Sequence, residues 1–133
     1  MPQDRDLSLE AYQISRYAYR ELKYFCKQYD EKKRRLNAVQ LYKESSDFLS
    51  SHRRFLFEEK ESLKHDVSLI EEAAAETAGE LGPYILQNVT QGIAFEYMPV
   101  PCGRRQFYTL RRQFFLCLYQ KRRTENLGSC FKC

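Results

Sequence analysis

The chain has 133 residues, of which 43% are hydrophobic and 30% charged, and a formal net charge of +4. That length suits one domain with a packed core and is short for two. No apolar run reaches the roughly 18 residues of a membrane span, and the first ten residues, MPQDRDLSLE, lack the apolar core of a secretion signal. Five glycines and four prolines are few for the turns of an all-β sandwich or barrel. We therefore expect a cytoplasmic, all-α protein that does not contact the membrane.

The first predicted element is a long helix from about Ser8 to Leu36, uninterrupted by Gly or Pro. Apolar side chains recur along it at helical spacing, at Ile14, Ala18, Leu22, Phe25, Tyr29 and Leu36. Its other faces carry a basic run at 32–35 and four tyrosines, at 12, 17, 19 and 24. We expect residues 1–44 to form an arm that packs on the rest of the fold or on a second copy. Stacking of the tyrosines on nucleic acid is the alternative.

The serine-rich stretch from Glu44 to Ser51 predicts a break. Residues 45–61 are thus either a linker or a second helix that runs through the serines. From about Ser62 a clear apolar stripe predicts the next helix, at Leu63, Val67, Ile70, Ala74 and Thr77. We expect this helix to stop near Gly79.

The remaining elements follow from the glycines and prolines of the chain. Pro83 suits the first turn of a helix that turns Ile85, Leu86 and Val89 inward and ends at Gly92. A short piece, IAFEYM, precedes the break at PVPCG, and a last helix runs from about Arg104 to Arg123. We expect residues 62–133 to form the helical domain. The complete fold is then all-α, a long N-terminal helix with a C-terminal helical bundle.

The cysteines and histidines give no sign of a metal or catalytic centre. Cys130 and Cys133 form a CxxC pair, but no second Cys/His pair has the spacing that would complete a four-ligand zinc site. The chain has no phosphate-binding loop, HExxH or nucleophile elbow. We expect no enzymatic activity, no metal, no cofactor and reduced thiols, and replacing Cys130 and Cys133 with Ser should leave folding and DNA binding intact.

The charge is distributed unevenly along the chain. Residues 103–133 carry eight Lys or Arg side chains and one Glu, whereas residues 57–80 carry eight acidic side chains and two lysines. The basic end coincides with the last predicted helix. Together with the short piece and the turn before it, this order of elements is typical of a helix-turn-helix at about 93–123, with a recognition helix at about 104–122.

The last helix has two predicted faces. Phe107, Leu110, Phe114 and Leu118 fall on a core side with Cys117 at its margin, and the opposite side carries the candidate base-contacting residues Arg104, Arg105, Tyr108, Thr109 and Arg112. Arg pairs with guanine or grips a phosphate, while Thr and Tyr hydroxyls reach phosphates or base edges. A later basic cluster, Lys121, Arg122 and Arg123, is expected to contact the DNA backbone. The alternative is that the four arginines around the apolar stripe are solvated or pair with the acidic helix at 57–80, within the chain or across a dimer.

These segments resemble small transcriptional regulators encoded by prophages and mobile elements of Gram-positive bacteria, of the autolysin-regulator-like type, and more loosely region 4 of sigma factors. The segment that opens the first helix of their motif is matched by Gly92, Ile93, Ala94, Phe95 and Glu96, and the start of their recognition helix by Arg104, Arg105, Gln106, Phe107 and Tyr108. SRYAYRELKYFCKQYDEKK is similar to their N-terminal helix. The prolines of PVPCG shorten the first helix of the motif to about one turn.

The resemblance implies a DNA-binding regulator that acts on double-stranded DNA. A homodimer is the expected assembly, and RNA polymerase or a phage factor is a further candidate partner. Two alternatives stay open: a phage DNA-packaging component similar to a small terminase subunit, and a helical adaptor that binds proteins and not DNA.

Overall fold

The computed structural model describes residues 12–45 and 50–126, and within them the protein is all-α, as predicted. Five α-helices follow in order among these residues: α1 (Arg16–Lys27), α2 (Tyr29–Ser45), α3 (Ser50–Ala78), α4 (Gly82–Gln91) and α5 (Arg104–Asn126). Two single 3-10 turns, Gly79–Leu81 and Phe95–Tyr97, lie between the later helices. In the described ranges, no helix combines the length and the apolar character that crossing a membrane requires.

The predicted N-terminal helix is broken at Gln28, and α2 ends at Ser45, beyond the predicted end at about Leu36. Ser15 caps α1, its hydroxyl accepting a hydrogen bond from the Ala18 N–H at 3.0 Å. At the break the Gln28 N–H bonds to the carbonyl of Phe25. No Gly or Pro marks this position, so tertiary packing causes it: α1 packs on α4 and α5, whereas α2 packs on α3. Residues 8–11 lie outside the described part of the chain.

α2 and α3 form an antiparallel arm held by polar contacts. Lys32 pairs with Asp66 at 2.8 Å, Arg35 with Glu59 at 2.9 Å, and the Tyr29 hydroxyl donates to Glu71. Residues 50–61, which were predicted to be either a linker or a second helix, are helical and are continuous with the helix predicted from Ser62. Residues 46–49 lie outside the described ranges. Far from the bundle, the arm buries Val39 and Leu56 but exposes Leu41, Phe55 and Phe57.

The core lies where α1, α3, α4 and α5 meet. The periodicity correctly predicts its main members: Leu22, Phe25, Val67, Ile70, Ala74, Ile85, Val89, Phe107, Phe114 and Leu118. It missed six others that are also buried: Tyr19, Cys26, Leu69, Ala73, Met98 and Phe115. Tyr19 and Phe115 meet edge to face across α1 and α5, with ring centroids 5.1 Å apart. Each of these helices is therefore buried over a wider arc than a single stripe.

The turns that position α5 lie where glycine and proline predicted them. Gly79 and Gly92 have positive φ values, +54° and +75°, and Gly92 is the C-cap of α4. Beyond Gly92, the described chain has one 3-10 turn before α5 and no α-helix, because Pro99 and Pro101 lack the N–H donors that would extend it. Met98 is buried at the end of this turn and holds the connection to the core.

Candidate nucleic-acid interface

α5 carries the candidate residues on a helix that is buried along most of its length. Phe107, Phe114 and Leu118 are fully buried, as predicted, whereas Leu110 and Cys117 are half-buried. Phe115 adds a second buried side because α1 covers it. The surface left to solvent on α5 is therefore a narrow strip and not half of the helix.

A seven-residue repeat organises that strip, and the sequence analysis did not detect it. RRQF occurs at 104–107 and again at 111–114. Seven residues make almost two helical turns, so equivalent positions share a face. The repeat buries Phe107 and Phe114 and leaves Arg105, Gln106 and Gln113 exposed and Arg112 half-buried. Gln106 and Gln113 thus join the predicted residues on the solvent side.

Arg105, Arg112 and Arg123 lie within about 20° of one line along α5. Among the described residues, none of the three has a carboxylate partner. Arg112 donates from Nη2 to the Thr109 hydroxyl at 3.1 Å, and that hydroxyl donates to the Arg105 carbonyl at 3.0 Å. Thr109 therefore orients Arg112 and leaves most of its guanidinium donors for a ligand.

Arg104 and Tyr108 occupy the edge of the strip. The Arg104 guanidinium forms an ion pair with Glu96 at 2.9 Å and lies 5.4 Å from the centre of the Tyr108 ring. Its hydrogen bond to Glu96 raises the pKa of Arg104 above its usual value. Tyr108 is half-buried, with its ring edge to face against Phe107. This differs from the predicted fully outward position and makes Tyr108 a supporting residue of the strip.

Two cations of the later basic cluster are engaged within the chain. Lys121 lies 2.6 Å from Glu76 and 3.7 Å from Glu72 on α3, and Arg122 lies 2.7 Å from Glu21 on α1. The hydrogen bond between Lys121 and Glu76 raises the pKa of Lys121 and lowers that of Glu76. Lys121 thus forms the pairing with the acidic helix that the alternative expected of the arginines, whereas Arg123 keeps an exposed guanidinium beside Tyr119.

Arg111 is a structural arginine that the sequence analysis did not single out. Its Nε donates to Asn88 Oδ1 at 2.7 Å, its Nη1 donates to the Tyr19 hydroxyl at 2.9 Å, and its guanidinium stacks 5.0 Å from the Phe115 ring centre. One signal was present in the sequence. On a helical wheel Arg111 falls inside the apolar side, between Phe107 and Phe115, where a charge needs polar partners.

Together these positions make an Arg and Gln strip on the solvent side of α5, defined by Arg105, Gln106, Arg112, Gln113 and Arg123. Its chemistry is hydrogen-bond donation to anionic or carbonyl acceptors, with no carboxylate among its five members. Comparison with protein-family models, with curated proteins and with solved structures finds no match to this chain.

Proposed function

We propose that the protein is a DNA-binding transcriptional regulator and that the Arg and Gln strip of α5 enters the major groove. The observation that carries the proposal is the repeated Arg and Gln pair at 105–106 and 112–113, exposed except for half-buried Arg112, on a face where the described side chains include no carboxylate. Arg pairs with O6 and N7 of guanine, and Gln pairs with N6 and N7 of adenine. These are side-chain types that distinguish base pairs as well as bind phosphate.

The spacing of the repeat fits duplex DNA. Seven residues advance about 10.5 Å along a helix, which is close to three base steps of 3.4 Å each. Arg123 lies about 27 Å from Arg105 along α5, by the same helical rise. Arg105 and Arg112 would therefore address bases about three steps apart within one groove, while Arg123 contacts the backbone further along.

In this proposal, the connection between α4 and α5 replaces the longer first helix of a helix-turn-helix. Gly92, the 3-10 turn at Phe95–Tyr97 and buried Met98 brace the start of α5 against the core. Arg104, tied to Glu96 of that turn, holds the connection to the helix. The resemblance of these same segments to phage-type regulators supports the proposal independently of the geometry.

The test begins with selection of genomic duplex fragments that the protein retains, followed by anisotropy measurements on a selected and a scrambled duplex. Arg105→Ala and Arg112→Ala should each weaken binding to the selected duplex by about 1–3 kcal/mol, or about 5- to 150-fold. Arg34→Ala is the matched control, because Arg34 is exposed on α2 and has no partner among the described residues. Equal affinity of all three variants and the parent would refute the proposal, as would absence of DNA binding at low salt, which would favour a protein-binding adaptor.

A homodimer is the second part of the proposal. Large apolar side chains are exposed on α1 and on the arm, with Tyr17 72% and Leu41 67% exposed, and soluble monomers seldom present extended apolar patches. Light scattering should therefore give twice the chain mass of 15.9 kDa. A monomer at high micromolar concentration would contradict the dimer, and a ring of eight or more copies would favour the packaging alternative.

A further inference from the structure

A second basic surface lies on α1, outside the strip on α5. Arg16, Arg20, Lys23 and Lys27 follow one another at intervals of four, three and four residues. At 100° per residue these positions share a sector of about 60°, next to the buried side of the helix. In the described part of the chain, Arg16, Arg20 and Lys27 form no ion pair. The stripe extends over about 17 Å.

The stripe leads into a cleft of about 340 Å³ between α1, the end of α4 and α5. Its polar lining comes from Lys23, Lys27, Asn88, Tyr108 and Arg111, and none of the described residues that line it is acidic. Arg111 uses Nε and Nη1 for the fold, so three of its five N–H donors are uncommitted by those bonds. Three cations around a cavity whose described lining includes no acidic residue favour an anion as its occupant.

Lys27 also has a structural role, and an experiment has to distinguish this role from ligand binding. A Cβ built on Gly92 would lie 2.9 Å from the Lys27 ammonium, so this charge sits at the C-cap of α4. A cation there also favours the negative end of the helix dipole. A measurement of stability reports the structural role of Lys27, whereas the salt dependence of binding reports its contact with an external anion.

We propose that the cleft binds a backbone phosphate of the DNA and that the α1 stripe follows the same strand onwards. This inference rests on the proposed function, and it adds the surface that fixes the duplex while α5 reads it. Tyr108 belongs to the cleft and to the edge of the α5 strip, so the two surfaces adjoin. Arg16 and Arg20 favour a polymer of regularly spaced charges over a single small phosphate, because they lie beyond the cleft along α1.

The decisive variant is Lys23→Gln with Lys27→Gln, measured by anisotropy over a series of salt concentrations. Loss of two phosphate contacts should flatten the log–log slope by about 1.8, which corresponds to about 60-fold weaker binding at 0.1 M salt. Selected and scrambled duplexes should lose affinity equally, since phosphate contacts carry no sequence information. Lys23→Arg with Lys27→Arg should restore the parental slope.

Arg34→Gln with Arg54→Gln is the matched control, because both residues are exposed on the arm and the variant removes the same net charge. The control should keep the parental slope. If it flattens the slope as much as the Lys23 and Lys27 variant does, the effect is one of overall charge and the inference is wrong. Melting temperatures of all variants show whether each one is folded.

The remaining outcomes separate this inference from the proposed function. If the Lys23 and Lys27 variant keeps the parental slope while Arg105→Ala still loses sequence preference, the cleft inference fails and the regulator stands. If the parent binds no DNA at low salt, both fail. A titration with inorganic phosphate at constant ionic strength tests the other source of the anion. If the protein binds phosphate, and Lys23→Gln with Lys27→Gln abolishes that binding but leaves the salt slope for DNA unchanged, the cleft binds a small phosphate ligand and the inference is wrong.

Discussion

Arg111 and Arg112 are neighbours in sequence, and the structure gives them opposite roles. Arg111→Ala removes two charged hydrogen bonds and leaves the hydroxyl of Tyr19, a residue only 3% exposed, without that donor. A hydrogen bond to a charged group contributes about 1.5–3 kcal/mol, and the stack on Phe115 adds about 0.5–2 kcal/mol. Since these contacts share one side chain and do not add fully, we expect about 3 kcal/mol of destabilisation, or a Tm lower by about 10 °C.

Arg112→Ala removes one hydrogen bond to a surface hydroxyl, and that hydroxyl keeps its bond to the Arg105 carbonyl. The expected change in the free energy of unfolding is within about 0.5 kcal/mol, or about 2 °C in Tm. Thermal melts by far-UV circular dichroism, with urea titrations as a second measure, compare the two variants directly. Equal melting of both variants, at either the parental or the lowered temperature, would refute the division of roles. Arg112→Ala with a parental Tm and weakened DNA binding would satisfy both this prediction and the proposed function.

Three further predictions follow from contacts described above. Gly92→Ala should cost about 1–2 kcal/mol in a urea titration, because its φ is +75°, whereas Gly103→Ser, with open space around it, should change stability by a few tenths; equal effects would contradict the backbone argument. Lys121→Gln should lower Tm at neutral pH and lose that effect in acid, because Lys121 lowers the pKa of Glu76. The stabilisation is present at pH values above the usual pKa of this carboxyl group, 4.5, and disappears as the pH falls through the lowered pKa. Burial raises the pKa of the Cys26 thiol to about 12, so a disulfide reagent at pH 8 should modify Cys26 only at the rate of unfolding, and rapid modification in the native state would contradict its burial.

The core could be predicted from the sequence where one stripe defines one face. Phe107, Phe114 and Leu118 follow that rule. Phe115 and Tyr19 do not, because each helix is covered by more than one neighbour, and single-stripe periodicity cannot register a second contact. The break at Gln28 also has no local signal, since it depends on which partner each half of the segment meets.

The candidate site divides in the same way. The exposed side of α5 follows from the helical period, which correctly turns Arg105 to solvent. The period does not say which cations are already paired, because Lys121 meets Glu76 across 45 positions of sequence and Arg122 meets Glu21 across 101. Pairing of this kind depends on helix packing, and it decides which charges remain for a ligand.

The RRQF repeat has a consequence for how α5 finds its place in the fold. A slip of α5 by seven residues that put Phe107 in the place of Phe114 would also put Arg104 in the place of Arg111, so the repeat alone admits two registers. The positions after each repeat break this degeneracy, because Tyr108 is half-buried whereas Phe115 is 1% exposed against Tyr19. The same slip would put the Tyr108 hydroxyl in the buried place of Phe115 and the Arg111 guanidinium in the fully buried place of Leu118. One phenolic oxygen and one guanidinium thus select a single register, which the RRQF repeat alone would leave open.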